Sequence, residues 1–112
     1  MTFEEAKLIA LDRWNRILND YPEIEIHEGG QPRREKYSRC GFCQLYARVD
    51  DAPNCEKCAL NIGNICENWD IGKSLYWQIC RKLQDGKKRG LKPMIMRMIE
   101  AIEKAEERKE IE

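Results

Sequence analysis

Apolar residues recur at helical spacing near the start of this chain. Thr2-Phe3-Glu4-Glu5 forms a capping box, in which Thr2 is the N-cap and Glu5 lies at the third helical position. The pattern runs as far as Pro22, which cannot continue a helix. The spacing therefore predicts an N-terminal helix over residues 1–21. Its apolar face consists of Phe3, Ala6, Ala10, Ile17 and Tyr21, widened by Ile9, Trp14 and Leu18.

The same periodicity returns in the last third of the chain and predicts two C-terminal helices within residues 73–110. The first begins near Ser74 and ends before Gly86. The second has Pro93 at its first helical position, where the missing N–H costs nothing. Residues 106–112 are a charged tail that we expect to fray. The apolar faces are Leu75, Tyr76, Ile79, Cys80 and Leu83 on the first helix, and Ile95, Met98, Ile99, Ile102 and Ala105 on the second.

Residues 22–39, between the first helix and the cysteines, have a different pattern. Ile24 and Ile26 alternate with glutamates, which is typical of a short strand or an extended arm. Gly29-Gly30 breaks this alternation, and the charged residues 33–36 are expected to be solvated. The sequence therefore predicts an extended arm over residues 22–39.

Two cysteine pairs dominate residues 40–70, C40-G-F-C43 and C55-E-K-C58, with eleven residues between them. A two-residue gap lets both sulfurs of a pair face one ion, with Zn–S near ~2.3 Å. Gly41 favours that curl because glycine tolerates unusual φ. Residues 45–49 have strand composition and residues 50–54 turn composition, so a hairpin would return the second pair to the first. The predicted fold class is α+β, mainly helical, with three helices around a small zinc-stapled β-hairpin in a single domain over residues 1–112.

Structural Zn²⁺ is the predicted cofactor, because four thiolates in a tetrahedron suit zinc and close its coordination sphere. Iron is the alternative metal. The sequence begins without a basic and apolar leader and has no stretch of ~20 apolar residues, which predicts a cytoplasmic protein without a membrane segment. Disulfides are rare in that compartment. Thiol–disulfide catalysis is disfavoured, because neither pair is expected to begin a helix after a buried strand.

The membership of the metal site has alternatives. Cys40, Cys43, Cys55 and Cys58 are the predicted ligands, but Cys66 follows Cys58 by eight residues and is an alternative fourth ligand. Two further residues have the right chemistry and a weaker case. Cys80 lies on an apolar helix face, which favours a buried free thiol over a ligand. His27, the sole histidine, lies among glutamates before a glycine pair.

The charge is distributed unevenly along a chain of zero net charge. Residues 40–72 carry two basic and five acidic residues, and a four-thiolate zinc centre adds a formal −2 there, so this segment repels phosphate. Residues 73–93 carry seven basic residues and one acidic residue. Lys87, Lys88 and Arg89 in this stretch are either a solvated helix end or a nucleic-acid contact. No catalytic constellation is recognised, so the chain is predicted not to be an enzyme.

The motifs C-G-F-C-Q-L-Y, C-E-K-C-A-L, G-N-I-C and S-L-Y-W resemble those of small uncharacterised phage and prophage proteins with a zinc-finger-like cysteine pattern. The resemblance covers about half the chain, and Ala59 replaces the proline usual after the second pair. It implies a phage accessory protein in the cytoplasm of a bacterial host cell, and it includes Cys66 among the pattern's cysteines. The predicted function is non-enzymatic binding of another protein, such as a host or defence component. The alternative is nucleic-acid binding through residues 73–92.

Overall fold

The computed structural model describes residues 1–38, 40–45 and 74–106, and these residues form five helices. No strand occurs among them, and an isolated antiparallel bridge between Ile26 and Pro32 is the nearest approach to one. The helices are α1 (Phe3–Asp20), α2 (Arg34–Tyr37), α3 (Gly41–Leu45), α4 (Leu75–Gln84) and α5 (Leu91–Lys104).

The predicted α+β class with a zinc-stapled hairpin is wrong for the described part of the chain, which is helical. The first cysteine pair, expected at one end of the hairpin, instead lies at the start of α3. Helical geometry turns Gly41 and Phe42 toward α1 and buries both, which an alternating strand would not do. The rest of the expected hairpin, residues 46–58, lies outside the described residues.

Local capping explains where the long helices begin. The Thr2 hydroxyl accepts the backbone N–H of Glu5 at 3.1 Å, and the Ser74 hydroxyl accepts that of Trp77 at 3.1 Å. Thr2 is the N-cap that the sequence predicted, and the helix predicted to begin near Ser74 is capped by that residue. The start of α5 is a correction, because the helix begins at Leu91 and Pro93 is its third residue. The first four N–H groups of a helix have no intrahelical partner, so proline is tolerated throughout this turn.

The core is centred on α1, which packs against α5 and α3. Helices α1 and α5 run antiparallel. The Lys7 ammonium donates to the Ala105 carbonyl at 3.2 Å at one end, and the Tyr21 hydroxyl donates to the Lys88 carbonyl at 3.2 Å at the other. None of the helices in the described ranges is long and apolar enough to cross a membrane. The largest fully buried apolar side chains are Trp14, Ile17, Tyr37, Phe42, Ile79, Leu91, Ile95, Met98 and Ile102.

The arm between α1 and α3 is fastened at two places. Gly30 (φ +87°) packs so closely on α4 that an added Cβ would lie 2.0 Å from the Cys80 carbonyl oxygen. The Tyr37 hydroxyl, on α2, donates to the Asp20 carboxylate at 2.7 Å and accepts the Glu25 N–H at 3.2 Å. The arm is therefore not uniformly extended, because its last part turns into α2 and buries Tyr37.

Candidate metal centre

The first cysteine pair is held on the surface of α1 by the two residues between its cysteines. A Cβ on Gly41 would lie 2.0 Å from the Ala6 carbonyl oxygen, so only glycine allows α3 this close to α1. Phe42 is buried, with its ring 5.4 Å from that of Phe3. The reason for Gly41 is therefore close packing of two backbones, and the predicted need for an unusual φ is not what the structure records.

The Cys40 thiol is set up to ionise near neutral pH. Its pKa is lowered to about 6, mainly by a hydrogen bond from the Cys43 thiol. The backbone N–H groups of Cys43 and Phe42 and the charge of Arg13 act in the same direction, and burial opposes them. The two sulfurs therefore face one another, and one of them favours the thiolate, which is the form that binds a metal.

Arg13 is the buried cation beside this pair. The residue is only 4% exposed, and its Nη1 donates to the Ser38 carbonyl. Its Nε is buried and has no hydrogen-bond partner in the described part of the chain. Ser38 has φ of +62°, which is uncommon for a residue with a Cβ and places strain two residues before Cys40.

Sequence reasoning missed Arg13 because its residue type argued for the surface. The positional signal was present, since Arg13 is three residues after Ala10 and four before Ile17, both on the buried stripe of α1. A charged residue at such a position indicates a buried cation that requires a counter-charge.

The other predicted ligands are not brought together by the described residues. Cys55, Cys58 and Cys66 lie outside the described ranges, so the four-cysteine set stays a prediction. Within those ranges, no three histidine, cysteine or acidic side chains form a group able to hold a metal. Cys40 and Cys43 supply two adjacent sulfurs, which is half of a tetrahedral site.

The weaker ligand candidates have other surroundings. Cys80 is a buried free thiol, as predicted, and burial raises its pKa to about 11 although the Tyr76 hydroxyl acts against the shift. The His27 Nε2 accepts the Arg34 N–H at 3.3 Å and lies 3.1 Å from a Glu35 carboxylate oxygen. His27 thus contacts the first turn of α2. The first pair lies at the start of α3, but no strand among the described residues precedes it, so the helix-after-strand arrangement typical of thiol–disulfide catalysts is not found there.

A groove with a volume of about 240 Å³ lies between the glycine turn of the arm and one face of α4. Trp77 is half-buried in its wall, and the Arg81 guanidinium lies 5.7 Å from the centre of the indole ring. Arg81 also contacts Asp85 at 3.3 Å, so its charge is partly balanced. The groove is lined by Gly29, Gln31, Tyr76, Trp77, Cys80, Arg81 and Gln84.

The predicted basic residues lie at the turn between α4 and α5. Gly86 and Gly90 shape this turn with φ of +69° and +77°. Lys87 and Arg89 are exposed, Lys88 is half-buried, and none of the three forms an ion pair with another described residue.

Comparison of the chain with models of protein families, with curated proteins and with solved structures finds no match.

Proposed function

We propose that this protein is a small zinc-stabilised module that acts by binding another protein. The groove beside α4 carries the proposal, because Trp77, Tyr76 and Arg81 converge on it. Tryptophan, tyrosine and arginine supply most of the binding energy in protein interfaces. The resemblance to small phage proteins supports a partner in the bacterial cytoplasm, such as a host or defence component.

The zinc part of the proposal is supported by the first cysteine pair. Its two sulfurs are adjacent, one has a lowered pKa, and the pair lies at the start of a helix anchored to the core. The proposed ligands are Cys40, Cys43, Cys55 and Cys58, with Cys66 as the alternative fourth ligand. Bound zinc would hold these segments together, and four thiolates would leave no open position for a substrate.

Metal analysis tests the zinc part. We expect one zinc per chain in the purified protein, and loss of zinc and of the fold in Cys40→Ser, because ~10 kcal/mol or more of binding free energy is folding free energy in such sites. Cys80→Ala is the matched control and retains its zinc. A metal-free protein of unchanged stability would rule out the structural role, and insulin-reduction activity would indicate a redox role instead.

Affinity capture from bacterial lysate with mass spectrometry tests the binding part. A partner that uses the groove is retained by the wild type and by Leu8→Ala, a change at an exposed residue of α1, and is lost by Trp77→Ala. With the purified partner, Trp77→Ala weakens binding by about 2 kcal/mol or more, which is ~30-fold in Kd. Equal retention by all three proteins would exclude the groove as the binding surface.

Nucleic-acid binding is the second candidate, and it is favoured by the cations of the α4–α5 turn, which form no ion pair within the described ranges. Each cation placed against a phosphate adds about 0.9 to the slope of log affinity against log salt. Neutralising Lys87, Lys88 and Arg89 together would then remove about three from that slope. Arg16→Gln, which changes an exposed residue of α1, leaves the slope unchanged. Absence of binding to mixed DNA and RNA at low salt eliminates this candidate.

A further inference from the structure

Arg13 is a buried cation without an anion among the described residues. The residue is only 4% exposed, and among the described residues its hydrogen-bond partner is a neutral carbonyl, that of Ser38. No carboxylate in the described ranges forms an ion pair with it. A charge removed from water is retained in a fold only where it is paired, so this position requires a negative group close by.

A candidate for that negative group is the first cysteine pair. Ser38, which accepts from Arg13, lies two residues before Cys40 in the chain. The charge of Arg13 also acts to lower the pKa of the Cys40 and Cys80 thiols, which supports their proximity. The Nε–H of Arg13 is buried without a partner among the described residues, and a thiolate sulfur is an acceptor for such a donor.

We infer that Arg13 is a positioning residue for the proposed metal centre, where it balances the charge of the bound thiolates and donates its free N–H to one of them. This rests on the zinc site proposed above. Zinc held by four thiolates carries a formal charge of −2, and the segment that contributes most of the cysteines is acidic as well. A single buried cation halves that formal charge without occupying a coordination position.

The strained backbone at Ser38 agrees with this role. Its φ of +62° turns the carbonyl toward Arg13, so the chain adopts an unfavourable conformation immediately before the first ligand. The contact thereby joins the Arg13 guanidinium to the backbone that leads into the cysteine pair. Such partners around metal ligands orient the ligands and typically change metal affinity by about 10–100-fold.

Competition between the protein and a chromophoric chelator for zinc tests the inference. Arg13→Gln, which removes the charge, weakens zinc binding by about 10–100-fold, and Arg13→Lys, which keeps the charge and loses the Nε donor, falls between it and the wild type. Arg16→Gln is the matched control, because Arg16 lies one turn away within α1 and is exposed. It binds zinc like the wild type.

The absorption spectrum of the cobalt-substituted protein distinguishes an electrostatic role of Arg13 from a packing role, because a loss of packing alone does not shift the thiolate-to-cobalt band. Loss of a positive charge or an N–H donor raises the energy of the sulfur electrons. The thiolate-to-cobalt charge-transfer band of Co²⁺-loaded Arg13→Lys and Arg13→Gln therefore shifts to longer wavelength.

If Arg13→Gln does not fold with metal, Arg13→Lys decides the question, and wild-type affinity together with a wild-type band overturns the inference. A wild-type protein that binds no zinc refutes the metal centre and this role together, whereas zinc-loaded variants with wild-type affinity and spectrum refute only the role of Arg13.

Discussion

At the scale of single residues, the hydrogen bond between Asp20 and Tyr37 has a consequence for stability. Asp20 ends α1, and the Tyr37 hydroxyl on α2 donates to it at 2.7 Å. This hydrogen bond, followed by the hydrogen bond and charge of Lys36, holds the pKa of Asp20 below its usual value of 3.8. The folded state therefore favours the ionised carboxylate of Asp20 over its protonated form.

The consequence for stability has a definite sign. A carboxylate with a depressed pKa in the folded state stabilises the fold above its unfolded pKa, and the contribution is lost as pH falls through the folded pKa. We therefore expect the unfolding free energy of the wild type to exceed that of Asp20→Asn by a constant amount at neutral pH. The difference shrinks below about pH 4, as measured by urea denaturation over a pH series.

Asp12→Asn is the control for this measurement. Asp12 pairs with Arg16 at 3.0 Å on the exposed side of α1, where such pairs contribute little. Its difference from the wild type stays small over the whole range. A difference for Asp20→Asn that persists unchanged to about pH 3 would contradict the assigned role of the Tyr37 contact.

At the scale of elements, the position of α3 depends on a single close approach. Gly41 brings α3 against the Ala6 carbonyl, with no room for a Cβ. Intrinsic helix propensity favours alanine over glycine by about 1 kcal/mol, so propensity alone predicts that Gly41→Ala stabilises the protein. The clash predicts the opposite sign, since α3 has to move away from α1 and take the cysteine pair with it.

We therefore expect Gly41→Ala to lower both thermal stability and zinc affinity, which calorimetry and chelator competition measure. Gly86→Ala is the comparison, because nothing lies within 4 Å of the added Cβ and only the positive φ resists the change. That variant loses about 1 kcal/mol of stability and keeps its zinc affinity. A Gly41→Ala protein more stable than the wild type would show that α3 does not depend on this contact.

The long helices could be predicted from the sequence and the short ones could not. Periodicity located α1, α4 and α5 because each has several turns of buried face, and Thr2 and Ser74 marked where α1 and α4 begin. Helices α2 and α3 have four and five residues, which is too short for a period and too short to be stable alone. They form because Tyr37 and Phe42 are buried against α1, and tertiary contacts of that kind leave no local signal.

The residues of the candidate site were likewise only partly predictable from the sequence. The C-x-x-C spacing identified Cys40 and Cys43 as neighbours, because two residues fix the separation whatever the fold. Arg13 lies 27 residues before Cys40 in the chain, and only packing brings it near. The sequence places Arg13 on the buried stripe of α1, but it does not indicate which residues pack against that stripe.

At the scale of the whole molecule, the core depends on contacts between the two ends of the described chain. Helix α1 packs on α5 and, to a similar extent, on α3, and α5 also packs on α4. Ile102 is fully buried in this core, whereas Met96 on the same helix is 52% exposed.

Truncation of these two side chains therefore has unequal effects. Ile102→Ala lowers the unfolding free energy by about 2–5 kcal/mol, and Met96→Ala changes it by less than about 0.5 kcal/mol. Denaturation of the two variants in parallel gives the comparison. Equal losses would mean that the buried contact between α1 and α5 contributes no more to the unfolding free energy than the exposed side of α5 does.

The antiparallel pairing of α1 and α5 also dictates an order of events during synthesis. In chain order α1 precedes α5, so α1 is synthesised before the helix that packs against it. Until α5 is made, α1 lacks one of its two main packing partners, and the guanidinium of Arg13 remains in water. The six cysteines of the sequence all precede α5, so their thiols are accessible to metal ions while the hydrophobic core is still open.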